Sequence, residues 1–202
     1  MSVLLTISFC TVYLSAAAFL CRDLKLTTRD LCLCALVIGL TLILESIQIP
    51  LPTGASISFF SMVPFMVLSA IHFRLAIFGG FVTGALALLM IPGWQPVCWG
   101  QFFVEHLVCF SCIGFTGIFG SRSRKALMAG FVLAACIKLC GHILSGVLFF
   151  SQNAWEGWGP WGYSIAYNLS SSLPLSILCG IVFFLLPMPM LYRLQNAKRC
   201  QG

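Results

Sequence analysis

Four side chains able to hold a charge or pass a proton sit deep in apolar sequence: Glu45, Glu105, Lys138 and His142. A charge at a bilayer centre costs about 2.5–3.5 kcal/mol on insertion scales, so each needs a compensating interaction. Lys138 and His142, spaced i and i+4, share a helix face. His106 follows Glu105 directly and points about 100° away from it on an ideal helix. Three kinds of chemistry fit such a set. Glu105 and His142 could work as an acid–base pair, although no nucleophile or metal constellation accompanies them. Glu105 and Lys138 could simply neutralise each other, with His142 as a hydrogen-bonding bystander. Or the whole set could receive a charged solute.

The elements that must position these residues are set by composition. Hydrophobic residues make up 60% of the 202 and charged residues only 8%, where a soluble domain carries roughly a quarter charged. The five acids, Asp23, Asp30, Glu45, Glu105 and Glu156, cannot build a water-facing shell, so lipid must be the outer solvent. A bilayer core about 30 Å thick takes about 20 apolar residues per helix. Apolar blocks run over Ser2–Cys21, Leu31–Ile49, Ser56–Phe73, Leu75–Ile91, Cys98–Phe119, Ala126–Phe150 and Tyr163–Leu191. Unpaired backbone groups are too costly in lipid, and the blocks lack the alternation of barrel strands, so seven helices are expected. Only Phe73 and Arg74 divide the third from the fourth.

Charge placement predicts orientation. Arg22, Lys25 and Arg29 follow the first block, Arg74 the third, Arg122, Arg124 and Lys125 the fifth, and Arg193, Lys198 and Arg199 the seventh. The alternate connections, 50–55, 92–97 and 151–162, contain no Lys or Arg. The positive-inside rule then puts the amino terminus outside and the carboxyl terminus in the cytoplasm of a plasma-membrane protein. The net charge of +6 is a topology signal and does not imply nucleic-acid binding. The first block is not expected to be a cleaved leader, because its basic cluster follows the apolar run instead of preceding it. Cys109–Cys112 and Cys136–Cys140 lie within apolar blocks, where cysteine behaves as a small hydrophobe. No metal or other cofactor is implied.

With that orientation Glu45, Glu105, Lys138, His142, Tyr163 and Asn168 all fall in the outer half of the bundle. The connection F-S-Q-N-A-W-E-G-W-G-P-W-G-Y beside them holds Trp155, Trp158 and Trp161. An interfacial aromatic belt would explain the tryptophans. It would not explain Gly157, Gly159, Pro160 and Gly162, which shape a tight loop able to close over a ligand. Phe150, Tyr163 and the tryptophans offer flat faces, and aromatic faces attract cations. With Glu105 below them, the implied ligand is small, aromatic and positively charged.

The run from Phe150 to Asn168, preceded by K-L-C-G-H-I-L-S-G at 138–146, resembles the thiamine transporter family. These proteins are the substrate-binding S components of energy-coupling factor (ECF) transporters. The resemblance extends from about Leu31 to Phe184 and includes Q-F-F-V-E-H at 101–106. It implies an all-α integral membrane fold: a six-helix S-component bundle over 31–191, with one extra helix in 1–30 and a basic tail at 192–202. It also implies a thiamine pocket near the external face, covered by the loop between the first two family helices. Glu105 then faces the thiazolium, His142 sits beside that ring, and Tyr163 and Asn168 contact the pyrimidine end. His106, Lys138, Phe150 and Trp158 complete the expected site. Three positions depart from the family pattern: Phe150 replaces a stacking tryptophan, His106 a tyrosine, and Ala55 a covering tryptophan. These leave a thiamine precursor or another small vitamin as the alternative ligand.

The chain has no phosphate loop that could hold a nucleotide. The resemblance therefore implies partners, namely a membrane coupling protein and two cytoplasmic ATPases. In the family, docking uses small residues spaced small-x3-small, matched here by Ala35 and Gly39. Gly80 with Gly84 and Ala126 with Gly130 repeat that spacing, so packing within the bundle fits it equally. A purely structural role would leave the membrane-buried charges uncompensated.

Overall fold

The computed structural model of the protein describes residues 2–91, 95–191 and 193. Lys198 and Arg199 of the expected basic cluster lie outside them. Helix α1 is Ser2–Cys21 and α2 is Thr28–Ser46. A capping box starts α2: Thr27 Oγ1 accepts from Asp30 N–H, and the Asp30 carboxylate accepts from Thr27 N–H. A small antiparallel hairpin follows, with β1 (Gln48–Pro50) paired to β2 (Ser56–Ser58). Gly54, at φ +85, takes the left-handed position in its turn. Then come α3 (Val63–Met90), α6 (Arg124–Phe149) and α7 (Pro160–Leu185). Between α3 and α6 lies a broken rod. Its parts are α4 (Trp99–Gln101), a π-helical stretch (Phe102–Val108), α5 (Cys109–Ser111) and a 3-10 stretch (Cys112–Gly117).

Helix α3 is two antiparallel arms. His72 is non-helical, and its Nδ1 accepts from Leu75 N–H at 3.2 Å, capping a new helix. A Cβ on Gly79 would stand 3.2 Å from the Phe65 ring. On one straight helix those residues would be about 21 Å apart. The fold-back therefore falls at the expected division beside Phe73 and Arg74. The third block does differ from expectation. Residues Ser56–Ser58 form a strand, and the helical arm 63–71 is only about 13 Å long. The Ser58 and Ser61 hydroxyls bond each other at 2.9 Å, and Pro64 favours a helix start beside it. Likewise α2 stops at Ser46, short of Ile49, because Gln48–Pro50 enters the hairpin. The seventh block breaks at Leu186.

The second arm of α3 packs antiparallel against the broken rod at very short range. A Cβ on Gly84 would overlap the His106 carbonyl, and one on Gly80 would overlap the Ser111 backbone. A Cβ on Gly114 would stand 2.5 Å from Ile77 N. Small residues allow this approach in lipid, where packing replaces the hydrophobic drive between helices. Leu75, Ala76 and Ile77, all fully buried, lie at the centre of the core.

One end of the bundle collects the basic residues of the connections, Lys138 within α6 being apart from them. Cys21 Sγ reaches the Arg74 carbonyl at 3.6 Å, and Arg124 donates to the Leu186 carbonyl at 3.1 Å. Ser69, on the short arm, donates to the Gly114 carbonyl and accepts from Gly117 N–H. The cavity described below lies toward the other end.

The small-residue pairs now separate. Gly80, Gly84 and Gly130 are filled by neighbouring backbone, whereas Gly39 has nothing within 4 Å. Gly84→Ala is therefore expected to destabilise the protein by about 1–3 kcal/mol. Gly39→Ala should leave stability unchanged or raise it. Thermal unfolding of the two variants in one detergent checks this difference in sign.

Candidate functional site: a charged cavity at one end of the bundle

The π-helical stretch carries Glu105 and His106. Such wide turns free backbone carbonyls, which must be satisfied within the protein when lipid surrounds it. Ser111 Oγ donates to the Leu107 carbonyl of this stretch at 2.5 Å, and in the 3-10 stretch that follows Thr116 Oγ1 donates to the Ile113 carbonyl at 2.8 Å. The changed turn also alters which residues share a face. His106, expected to point away from Glu105, lines the same cavity.

That cavity measures about 520 Å³, within the range of small-molecule sites. Glu105, Lys138, His142, Phe150, Tyr163 and Asn168 line it, with His106 and Glu45. Glu105 is held from two sides. Gln101 Nε2 donates to its Oε2 at 2.6 Å, and His142 Nδ1 lies 3.8 Å from its Oε1. The second distance suits an ion pair but is too long for a hydrogen bond. Gln101 Oε1 accepts from Val97 N–H at 2.7 Å, which fixes the amide so that its NH₂ faces the carboxylate.

The pairing of Glu105 with Lys138 does not occur. Lys138, 8% exposed, has no carboxylate within 4 Å among the described residues, and its Nζ sits 5.5 Å from the Phe110 ring centroid. The lining thus carries two carboxylates and one ammonium.

Asn168 ties α7 to α6. Its Nδ2 donates to the carbonyls of His142 (3.2 Å) and Ser164 (2.9 Å), while Ser164 Oγ donates to the Ile143 carbonyl at 2.7 Å. Gly146 makes room for both side chains. None of Trp155, Trp158 and Trp161 lines the cavity. Trp158 is half exposed and packs edge-on against Trp155, which in turn packs on Tyr163. Ala35 is exposed and Gly39 half-buried on the outside of α2.

Sequence reasoning missed several groups here. Gln101 stands one helical turn before Glu105, a spacing that signals contact. The hairpin gives Gln48, Ala55, Ser56 and Ser58 to the lining, so the expected covering loop is present with Ala55 inside it. Two bonds from α7 hold it down: Tyr167 donates to the Gly54 carbonyl at 3.2 Å, and Thr53 Oγ1 meets Ser170 Oγ at 3.0 Å. No local pattern marks these long-range partners.

Fold and site define a class first. This is a multi-pass helical membrane protein with a polar, carboxylate-bearing solute cavity at one end. The profile of the family described as "Thiamine transporter protein" matches residues 31–194, and the chain belongs to that family. It is similar to thiamine transporter ThiT of Bacillus subtilis strain 168, at 28% identity over 71% of this chain and 81% of the relative. The ThiT of Lacticaseibacillus paracasei strain ATCC 334 is 27% identical over 53% and 60%. The solved structure of ThiT from Listeria monocytogenes superposes with a TM-score of 0.72 at 25% identity, covering 82% of this chain and 96% of that one. The fold is accordingly the expected six-helix S-component bundle with one further helix, α1.

The two bonds from α7 predict how the hairpin moves. Combining Tyr167→Phe with Thr53→Ala should raise amide hydrogen exchange across 51–58 about tenfold, the effect of two modest hydrogen bonds. Exchange in α6 should not change.

Proposed function

We propose that this chain is the substrate-binding subunit for thiamine uptake, a binder and carrier with no catalysis of its own. The carrying observation is Glu105, held by Gln101 and His142 inside a cavity with excess carboxylate. A buried carboxylate so placed is an incomplete ion pair that a permanent cation would complete. Thiamine provides a thiazolium for Glu105 and an aminopyrimidine for the Tyr163 and Asn168 side. Phe150 and His142 supply ring faces, His106 and Lys138 polar contacts, and Trp158 acts only through Trp155. The basic end is assigned to the cytoplasm, which opens the cavity outward with the amino terminus outside. Ala35 and Gly39, with open space before them, are assigned to a membrane coupling protein that links the subunit to two cytoplasmic ATPases. The chain is placed in the plasma membrane.

Calorimetric titration of the purified protein with thiamine tests the ligand. Saturable binding is expected, and Glu105→Gln should weaken it at least about thirtyfold by removing a buried counter-charge. Unchanged affinity in Glu105→Gln would overturn the assignment. Saturation by a thiamine precursor but not by thiamine would shift the ligand and keep the site.

Ala35→Leu combined with Gly39→Leu should leave thiamine affinity unaltered while abolishing ATP-dependent uptake in cells carrying the coupling subunits. Normal uptake by this variant would place docking elsewhere.

A further inference from the structure

Helix α1 lies outside the residues matched to the family, yet it packs behind the charged site, on both elements that carry it. A Cβ on Gly141, next to His142 on α6, would stand 3.7 Å from the Phe9 ring. On the broken rod, the Tyr13 hydroxyl lies 2.7 Å from Ser111 Oγ, and the Tyr13 ring centroid is 5.6 Å from that of Phe115. Tyr13 is 6% exposed and Ser111 fully buried. Ser111 has one hydroxyl proton, which goes to the backbone carbonyls before it, chiefly that of Leu107 at 2.5 Å with that of Val108 at 3.3 Å. The order is therefore fixed: Tyr13 donates to Ser111, and Ser111 donates to Leu107.

Leu107 belongs to the π-helical stretch two residues beyond Glu105, and Ser111 closes the short α5 turn before the 3-10 stretch. A rod that changes its hydrogen-bonding ladder twice within 102–117 has no single register imposed by its own backbone. Its register has to come from neighbours. On one side the close approach of α3 limits it, and on another the Tyr13 hydroxyl does. No α1 residue lines the cavity, so any influence of α1 on a ligand passes through the protein.

We infer that Tyr13 is a positioning residue for the binding site: through Ser111 and Leu107 it sets the register of the broken rod, and with it the placing of Glu105 against His142. The extra helix is then a fixed brace of the site, and more than an additional span. The ligand arm of the test rests on the thiamine reading above.

The variant Tyr13→Phe keeps the ring and removes only the hydroxyl. Thiamine affinity is expected to fall about threefold to tenfold, the effect of one buried hydrogen bond. The melting temperature should stay close to that of the unaltered protein. A neutral analogue, with the thiazolium replaced by an uncharged ring, should lose less, and in the Glu105→Gln background the Tyr13→Phe loss should vanish. Equal losses for the cationic and neutral ligands, or undiminished thiamine affinity, would overturn the inference. A second arm needs no ligand. The chain has three histidines, so NMR of histidine-labelled protein can resolve the His142 ring. Its resonances should shift in ligand-free Tyr13→Phe, with those of His72 unmoved. An unmoved His142 signal would overturn the positioning role. A shifted His142 in a protein that ignores thiamine would keep the brace and reject the ligand.

Discussion

A carboxylate held inside a bundle whose outer solvent is hydrocarbon is the constraint on which this structure turns. Glu105 cannot be left bare where the surroundings screen charge poorly, and it cannot be fully neutralised if it is to attract a cation. The protein resolves this by partial satisfaction. Gln101 gives one carboxylate oxygen a short amide hydrogen bond, and His142 stands at ion-pair distance from the other. The amide orients the group without supplying charge. The imidazole stands beside the other oxygen without a direct hydrogen bond. A carboxylate–guanidinium pair would bind itself too well, and an apolar surround would push the group to take up a proton.

That compromise propagates outward. Glu105 and His106 line the same cavity from the wide turn at Phe102–Val108, and the wide turn releases carbonyls that lipid cannot satisfy. Ser111 takes up one of them, the Leu107 carbonyl. The irregular rod is then clamped by glycine-mediated contact with the second arm of α3. Gly80, Gly84 and Gly114 thus serve the site from a distance, since a methyl group at any of them would move the segment that carries the charge.

Much of this was legible in the sequence because lipid narrows the possibilities. Seven apolar blocks found seven counterparts: α1, α2, two arms of α3, the broken rod, α6 and α7. The fold-back at His72 could be read from a single basic residue, Arg74, interrupting apolar sequence. The gathering of Glu45, Glu105, Lys138, His142, Tyr163 and Asn168 followed from counting turns down from one surface. What stayed hidden depends on backbone conformation or on partners far apart in the chain. No residue pattern announces a π turn, so ideal helix geometry set His106 apart from Glu105, and only the resemblance put it in the site whose cavity it lines. Composition and the glycines around them draw the tryptophans toward the ligand, whereas Trp158 packs edge-on against Trp155 and Trp155 against Tyr163. The connection at 50–55 was legible, but the strands flanking it read as the ends of the neighbouring helices, because three-residue strands carry too few side chains to show alternation.

The hairpin also bears on how the cavity is closed. The positions where the resemblance leads one to expect large rings hold Ala55 and Phe150, so aromatic cover is reduced. Closure is provided instead by backbone: the turn around Gly54 lies over the lining and is fastened to α7 by Tyr167 and Ser170. Tyr163 and Tyr167 stand one turn apart with ring centroids 5.5 Å from each other, and Tyr163 lines the same cavity that the hairpin covers. A ligand that displaces Tyr163 would press on Tyr167 and through it on the Gly54 carbonyl. Tyr167 lines the cavity too, so the residue that fastens the cover also stands against the space beneath it.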